Sequence, residues 1–198
     1  TFKEAYYQLN EKDKYIINSG IVFSRNKTRF SFCYIGSDQV GKGVDIIINA
    51  ANKLPQYDFY LFGNIDKENY SVKYENVFFK GSFSNKLLIC GIRKYDAFLL
   101  PNKAKQIVNN EDIGAFTSPL KLFDYMTTSK PIISSKLKNL LEVLPLESYI
   151  GFEENNLASF IEALHKAKIC INQKQYDLSE YHARNYTWGK RLERILRS

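Results

Sequence analysis

From Arg29 onward, strand-sized apolar runs alternate with stretches of helical period, and this alternation constrains the chain more than any other feature. The runs fall at 30–35, 58–62, 77–79, 97–100 and 131–134. Between them, 44–53 carries Val44, Ile47, Ile48 and Ala51 on one helical stripe and stops at Leu54-Pro55. Stretches 85–94 and 118–128 read the same way, and the second has the clearest helix start in the chain. Ser118 stands in its N-cap position and Pro119 at the first helical position, where a missing N–H costs nothing. An amphipathic helix at 156–167 (Leu157, Phe160, Ile161, Leu164) and a basic terminal helix at 188–196 follow. The alternation predicts an α/β fold, a parallel sheet buried on both faces by helices. Residues 1–28 do not fit it and read as a helix or linker, with 20–23 as an edge strand. The polar stretch 101–117 reads as a binding loop or mobile lid.

Composition narrows the class. A chain of 198 residues supports one well-buried domain, and 44% hydrophobic content with 10 Gly and 5 Pro excludes disordered and collagen-like readings. The net charge of +7 favours an anionic partner. No RNP-like, helix-turn-helix or zinc-finger pattern supports nucleic acid as that partner. Cys33, Cys90 and Cys170 are odd in number and lack C-x-x-C spacing, so neither a disulfide framework nor a thiolate zinc site is expected, and a reducing compartment is. His165 and His182 have no ligand-like neighbours, so no metal site is expected. The chain begins at Thr1 and its longest apolar runs fall far short of the ~18–20 residues of a membrane span, so it reads as a segment of a soluble protein.

Two motifs carry chemistry. The first, 36–43, follows a strand and precedes a helix. Its G-x-x-x-x-G-K spacing is that of a P-loop, but Gly43 stands where a Ser or Thr hydroxyl would ligate Mg²⁺. A milder reading survives: a Gly-rich turn with Lys42 beside a helix N-terminus suits phosphate oxygens. The alternative is an ordinary βα turn with a solvated lysine. The second motif, 118–126, offers another helix N-terminus, and two such ends can grip one diphosphate. Leu120, Phe123 and Met126 have core-facing spacing, and Lys121 and Asp124 share a face, either in a site or as a surface i,i+3 pair.

In order along the chain, Tyr34-Ile35-Gly36 with Gly41-Lys42-Gly43-Val44-Asp45, Asn76 to Gly81, Asp96 to Pro101, Ser118 to Met126 with Lys130 to Ile133, and Tyr186-Thr187-Trp188 resemble group 1 (family 4) glycosyltransferases. The resemblance covers 29–198 and implies the Rossmann-like C-terminal, sugar-nucleotide-binding half of a GT-B enzyme. It implies Lys42 as the catalytic lysine that neutralises the donor diphosphate as the bond to the anomeric carbon breaks. Gly36 and Ser37 match the turn that leaves room for the donor, and Ser118, Pro119, Leu120 and Lys121 the helix start facing the phosphates. Asp124 matches the glutamate that hydrogen-bonds the ribose hydroxyls, and Gly81, Ser82 and Phe83 the turn whose backbone meets the nucleobase.

Three positions depart from the family. Phe116 stands where the first of the paired acids belongs, so either Glu111 or Asp112 replaces it from the loop or the donor sugar is held differently. Ser37 replaces an arginine, removing one diphosphate contact, and Ser129 replaces a glycine ahead of Lys130-Pro131, a helix-end change. The resemblance implies a retaining transferase that takes a nucleoside diphosphate sugar as donor and requires no cofactor. Its acceptor would be a glycan or lipid-linked molecule, as in bacterial surface polysaccharide synthesis. The site would be cytoplasmic, with peripheral contact at the inner face of the membrane. Residues 1–28 would then be the linker or remnant of an N-terminal acceptor domain, and the chain alone would bind donor without turnover. A noncatalytic sugar-nucleotide sensor or scaffold and a P-loop nucleotide hydrolase are the competing readings.

Overall fold

The computed structural model describes residues 6–20, 22–108, 110–112, 114, 120–141, 143, 148–170, 190 and 196. In chain order its elements are α1 (Glu11–Ser19), β1 (Phe30–Ile35), α2 (Val44–Ala51), β2 (Tyr57–Phe62), β3 (Val77–Gly81), α3 (Asn85–Gly91) and β4 (Ala97–Leu100). They continue as β5 (Ile107–Val108), β6 (Glu111–Asp112), α4 (Leu120–Met126), β7 (Ile132–Ser135), α5 (Lys138–Leu141), β8 (Ile150–Phe152) and α6 (Leu157–Cys170). One sheet runs β3-β2-β1-β4-β7-β8 with every neighbouring pair parallel, and β5 and β6 form a separate antiparallel ladder. The expected parallel sheet with helices on both faces is present.

The strand period explains why both faces are covered. In β1, Phe32 and Tyr34 enter one core while Cys33 enters the other, and all three are fully buried. The first core joins Phe59, Leu61 and Leu99 to α2 and α6. The second joins Tyr60, Phe62 and Phe98 to α3, α4 and the segment around Phe23. Helix α2 buries its expected stripe and Ile46 and Ala50 besides, because α6 packs against a second side of it. The amino edge is tied by Asn76, 1% exposed, whose Nδ2 donates to the carbonyls of Ala51, Leu54 and Tyr57 at 3.1 Å each.

Chain order and sheet order diverge at one place. From β1 the chain adds β2 and β3 on one side, then returns to place β4 on the other side of β1. The loops leaving β1 and β4 therefore part at the sheet's carboxyl edge, and that crevice is where ligands bind in open α/β sheets.

Several local expectations are corrected. Gly20, Val22 and Phe23 form no edge strand: Gly20 closes α1 at φ 69, and the ring of Phe23 stacks on Phe62 at 5.4 Å. The backbone N–H of Asn26 is taken by the Tyr60 hydroxyl at 3.0 Å, and Arg25 pairs with Asp96, so this segment packs onto the domain through side chains. The 101–117 stretch contains the β5–β6 ladder, turning at Asn110 with φ 66. Strand β8 and helix α5 had no legible signal, being three and four residues long. Of the terminal helix, only Lys190 and Leu196 are among the described residues. Ser129 adopts φ 53 just beyond α4, the left-handed helix-end conformation for which glycine is the low-strain choice.

Candidate functional site

The loops after β1 and β4 are bound to each other before either meets a ligand. The backbone N–H of Lys103 donates to the Gly41 carbonyl at 2.8 Å, and that of Ile107 to the Val40 carbonyl at 3.3 Å. Gly43 is the N-cap of α2, with φ 76, and a Cβ there would run into the carbonyl of Pro101. A Ser or Thr is thus strained at this position by both backbone and space, and the P-loop reading loses its magnesium-ligating hydroxyl.

Lys42 leaves this clamp half-buried, and its ammonium donates to Gln106 Oε1 at 2.7 Å. Burial pushes its pKa down. Lys121, in the first turn of α4, reaches over the carboxyl edge of the sheet to the ring of Tyr34, 5.2 Å from its centroid. The Lys121 ammonium and the Tyr34 hydroxyl fill the space a side chain at Gly36 would need, so glycine there makes room for a lysine. The Tyr34 hydroxyl also donates to the Ser37 carbonyl at 2.8 Å, fixing the turn. Burial, and after it the nearby charge of Lys42, lower the Lys121 pKa to about 8. Among the described residues no carboxylate pairs with either lysine. Two partly desolvated cations that repel each other gain most from an anion placed between them.

Asp124 lies one turn further along α4, and burial raises its carboxyl pKa to about 6. Among the described residues nothing hydrogen-bonds that carboxylate, and no ion pair joins it to Lys121, so the surface i,i+3 pair is not formed. Instead both line one cleft of about 200 Å³, together with Asn85 at the start of α3. Its other walls are apolar: Ile35, Leu88, Ile89 and Leu120.

The expected site residues divide into three groups. Gly36, Ser37, Lys42, Lys121 and Asp124 gather at the switch point. Leu120 belongs to the cleft and is 62% exposed, contrary to its core-facing spacing, because α4 buries the face of Leu122, Tyr125 and Met126 and Leu120, two residues before Leu122, lies on the opposite side of the helix. Ser82 is exposed, and the Phe83 ring turns inward to Phe23 at 5.9 Å, so neither side chain lines the cleft. Ser118, Pro119 and Phe116 lie outside the described residues. Of the substitutes for Phe116, Glu111 is exposed in β6. Asp112 accepts from the backbone N–H groups of Gln106 and Gly114 at 3.0 Å, bonds that hold its pKa below the ordinary carboxylate range. Its geometry is that of a loop builder. Tyr34, Gln106 and Asn85 escaped sequence reasoning: a tyrosine in an apolar run reads as core, and a glutamine in a polar loop gives no signal.

No family model matches the chain, and no curated protein matches it. Solved structures do. Sucrose-phosphate synthase from Thermosynechococcus elongatus matches with a TM-score of 0.71 at 14% identity, over 91% of this chain and 48% of that one. A glycosyltransferase from Rickettsia africae ESF-5 matches with a TM-score of 0.71 at 13% identity, over 99% and 53%. WaaG, a glycosyltransferase involved in lipopolysaccharide biosynthesis, matches with a TM-score of 0.59 at 18% identity, over 91% and 48%. The chain thus spans about half the length of these neighbours. It has the Rossmann-like α/β fold of the C-terminal half of GT-B glycosyltransferases.

Proposed function

We propose that this chain is the donor-binding domain of a retaining glycosyltransferase that takes a sugar from a nucleoside diphosphate sugar. The placement of Lys42 and Lys121 at the switch point, with no carboxylate paired to either among the described residues, carries this reading. Their ammonium groups meet the diphosphate and neutralise the charge that grows on it as the glycosidic bond breaks. The apolar cleft takes the nucleoside, and Asp124 accepts hydrogen bonds from the ribose hydroxyls. TarM, another neighbour at 14% identity, was solved with UDP and alpha-GlcNAc-glycerol, which supports a nucleotide sugar as this chain's partner. The acceptor, a glycan or lipid-linked molecule of bacterial surface polysaccharide synthesis, belongs to an N-terminal domain on the cytoplasmic side of the membrane. The chain alone binds donor and does not turn it over.

The deciding measurement is thermal denaturation of the chain across a panel of nucleoside diphosphates and their sugars. A true donor at a hundredfold excess over its Kd adds about 2.7 kcal/mol, which for a domain of this size is a rise of roughly 5–10 °C. No stabilisation by any member would defeat the proposal.

The two perturbed groups also set a pH window for binding. A bound diphosphate returns proton affinity to Lys121, so affinity falls as pH rises through about 8, by at most tenfold per unit. Below about 6, Asp124 takes up a proton and ceases to be a full acceptor, so affinity falls again. A nucleoside diphosphate sugar is the right ligand for calorimetry across this range, since it lacks the terminal phosphate proton that titrates near pH 6. A flat profile between pH 5 and 9 would remove both residues from the contact.

A further inference from the structure

We infer that Gln106 is a positioning residue for Lys42, holding its ammonium at the crevice where the diphosphate is to bind. This role rests on the reading of Lys42 as the diphosphate lysine.

Gln106 is 1% exposed although it lies in a polar loop. Each of its polar groups that could wander is tied. Its backbone N–H donates to Asp112 Oδ1 at 3.0 Å, its Nε2 donates to the Lys103 carbonyl at 3.3 Å, and its Oε1 accepts from Lys42 at 2.7 Å. The bond to the Lys103 carbonyl requires the amide nitrogen on that side, which turns the oxygen to the lysine. A Cβ at Gly41 would lie 2.8 Å from both Cα and Cγ of Gln106, so the turn carrying Lys42 packs directly on the glutamine's stem. Asp112, anchored in the β5–β6 ladder, thus sets Gln106, and Gln106 sets Lys42. A neutral acceptor suits this role, since it orients an ammonium without cancelling the charge the ligand needs, as a carboxylate would.

The remaining charged groups nearby are otherwise engaged or repulsive. Asp45 is bound to Lys103 at 2.8 Å, Asp38 accepts from the Asp66 backbone at 3.0 Å, Lys105 is exposed, and Lys121 faces Lys42 as a like charge.

The test is the titration of Lys42 by NMR of its Cε–Hε group, with calorimetry of a nucleoside diphosphate sugar and of the bare nucleoside, in the 198-residue chain carrying Gln106→Met or Gln106→Glu. Both variants keep the size of the stem, and either suffices if the other fails to fold. Removing the acceptor is expected to lower the Lys42 pKa, and the carboxylate to raise it. Both weaken the diphosphate sugar about tenfold, the worth of one hydrogen bond to a charged group, and leave the nucleoside unchanged. A merely structural glutamine would not move the titration in opposite directions. Unshifted titration with wild-type affinity in the folded variants overturns the proposal. Lys42→Ala separates the two claims: if it keeps full affinity, the diphosphate reading fails and the positioning role goes with it. If it loses affinity while the Gln106 variants do not, only the positioning role fails.

Discussion

Replacing Lys42 by alanine is expected to weaken a nucleoside diphosphate sugar by ten- to a hundredfold while lowering the melting temperature by no more than several degrees. The loss follows from removing a charge-assisted contact of about 1.5–3 kcal/mol to the ligand. The stability cost is confined to the buried Gln106 Oε1 left without its donor, about 1–3 kcal/mol, because Lys42 is itself only half-buried and makes one described side-chain bond. Lys121→Met should weaken the ligand comparably but raise the melting temperature. The sign follows from linkage: the folded-state pKa of Lys121 is about 8, below its ordinary 10.5, so folding disfavours its proton. That penalty is in full force below about pH 8 and disappears as pH rises through 10.5. Its relief at neutral pH is expected to stabilise by roughly 1–3 kcal/mol, less than the full shift implies because the group keeps some solvent. A residue whose removal strengthens the fold and weakens a ligand is held there for the ligand. Isothermal calorimetry and thermal denaturation of the two variants check both halves, and an unchanged affinity in each would remove the lysines from the site.

Asn76→Ala should produce the opposite pattern, with a large loss of stability and no loss of affinity in the folded protein. Its amide bridges the end of α2, the turn that follows and the start of β2 through three carbonyls at 3.1 Å. The Ala51 and Leu54 carbonyls each retain a backbone donor, from Leu54 and Tyr57 at 3.2 Å, and the two protons of the Asn76 amide are shared over three acceptors, so the cost is near two net hydrogen bonds. That amounts to roughly 2 kcal/mol, or a fall of about 4–8 °C in the melting temperature. Binding is spared because Asn76 lies at the amino edge of the sheet and the lysines at the carboxyl edge. A loss below about 1 kcal/mol by chemical denaturation would show that the amide does not brace this turn.

The site was less legible than the fold, and α4 shows why. Its sequence placed Lys121 and Asp124 on one face, as the structure does, but the same spacing counted Leu120 as core. Helical period reports which residues share a face. It does not report which face the core takes: α4 buries Leu122, Tyr125 and Met126, and Leu120 lies on the opposite side of the helix. The cleft's third polar group, Asn85, sits on a different helix, 36 positions before Lys121, and no spacing rule connects them.

Sequence alone determined that strands and helices would alternate around a parallel sheet, because two-residue and 3.6-residue periods are local properties written into each segment. It also determined that Lys42 would follow a strand in a glycine-rich turn. Tertiary structure alone decided that β4 would lie on the far side of β1, which opens the crevice, and that Lys121 would cross the sheet edge to the ring of Tyr34, near enough to feel the charge of Lys42. It alone made Gln106 the partner of Lys42 across 64 positions of chain. Strand order and contacts of that range depend on which buried faces close against each other, an outcome of the whole core that no single segment carries.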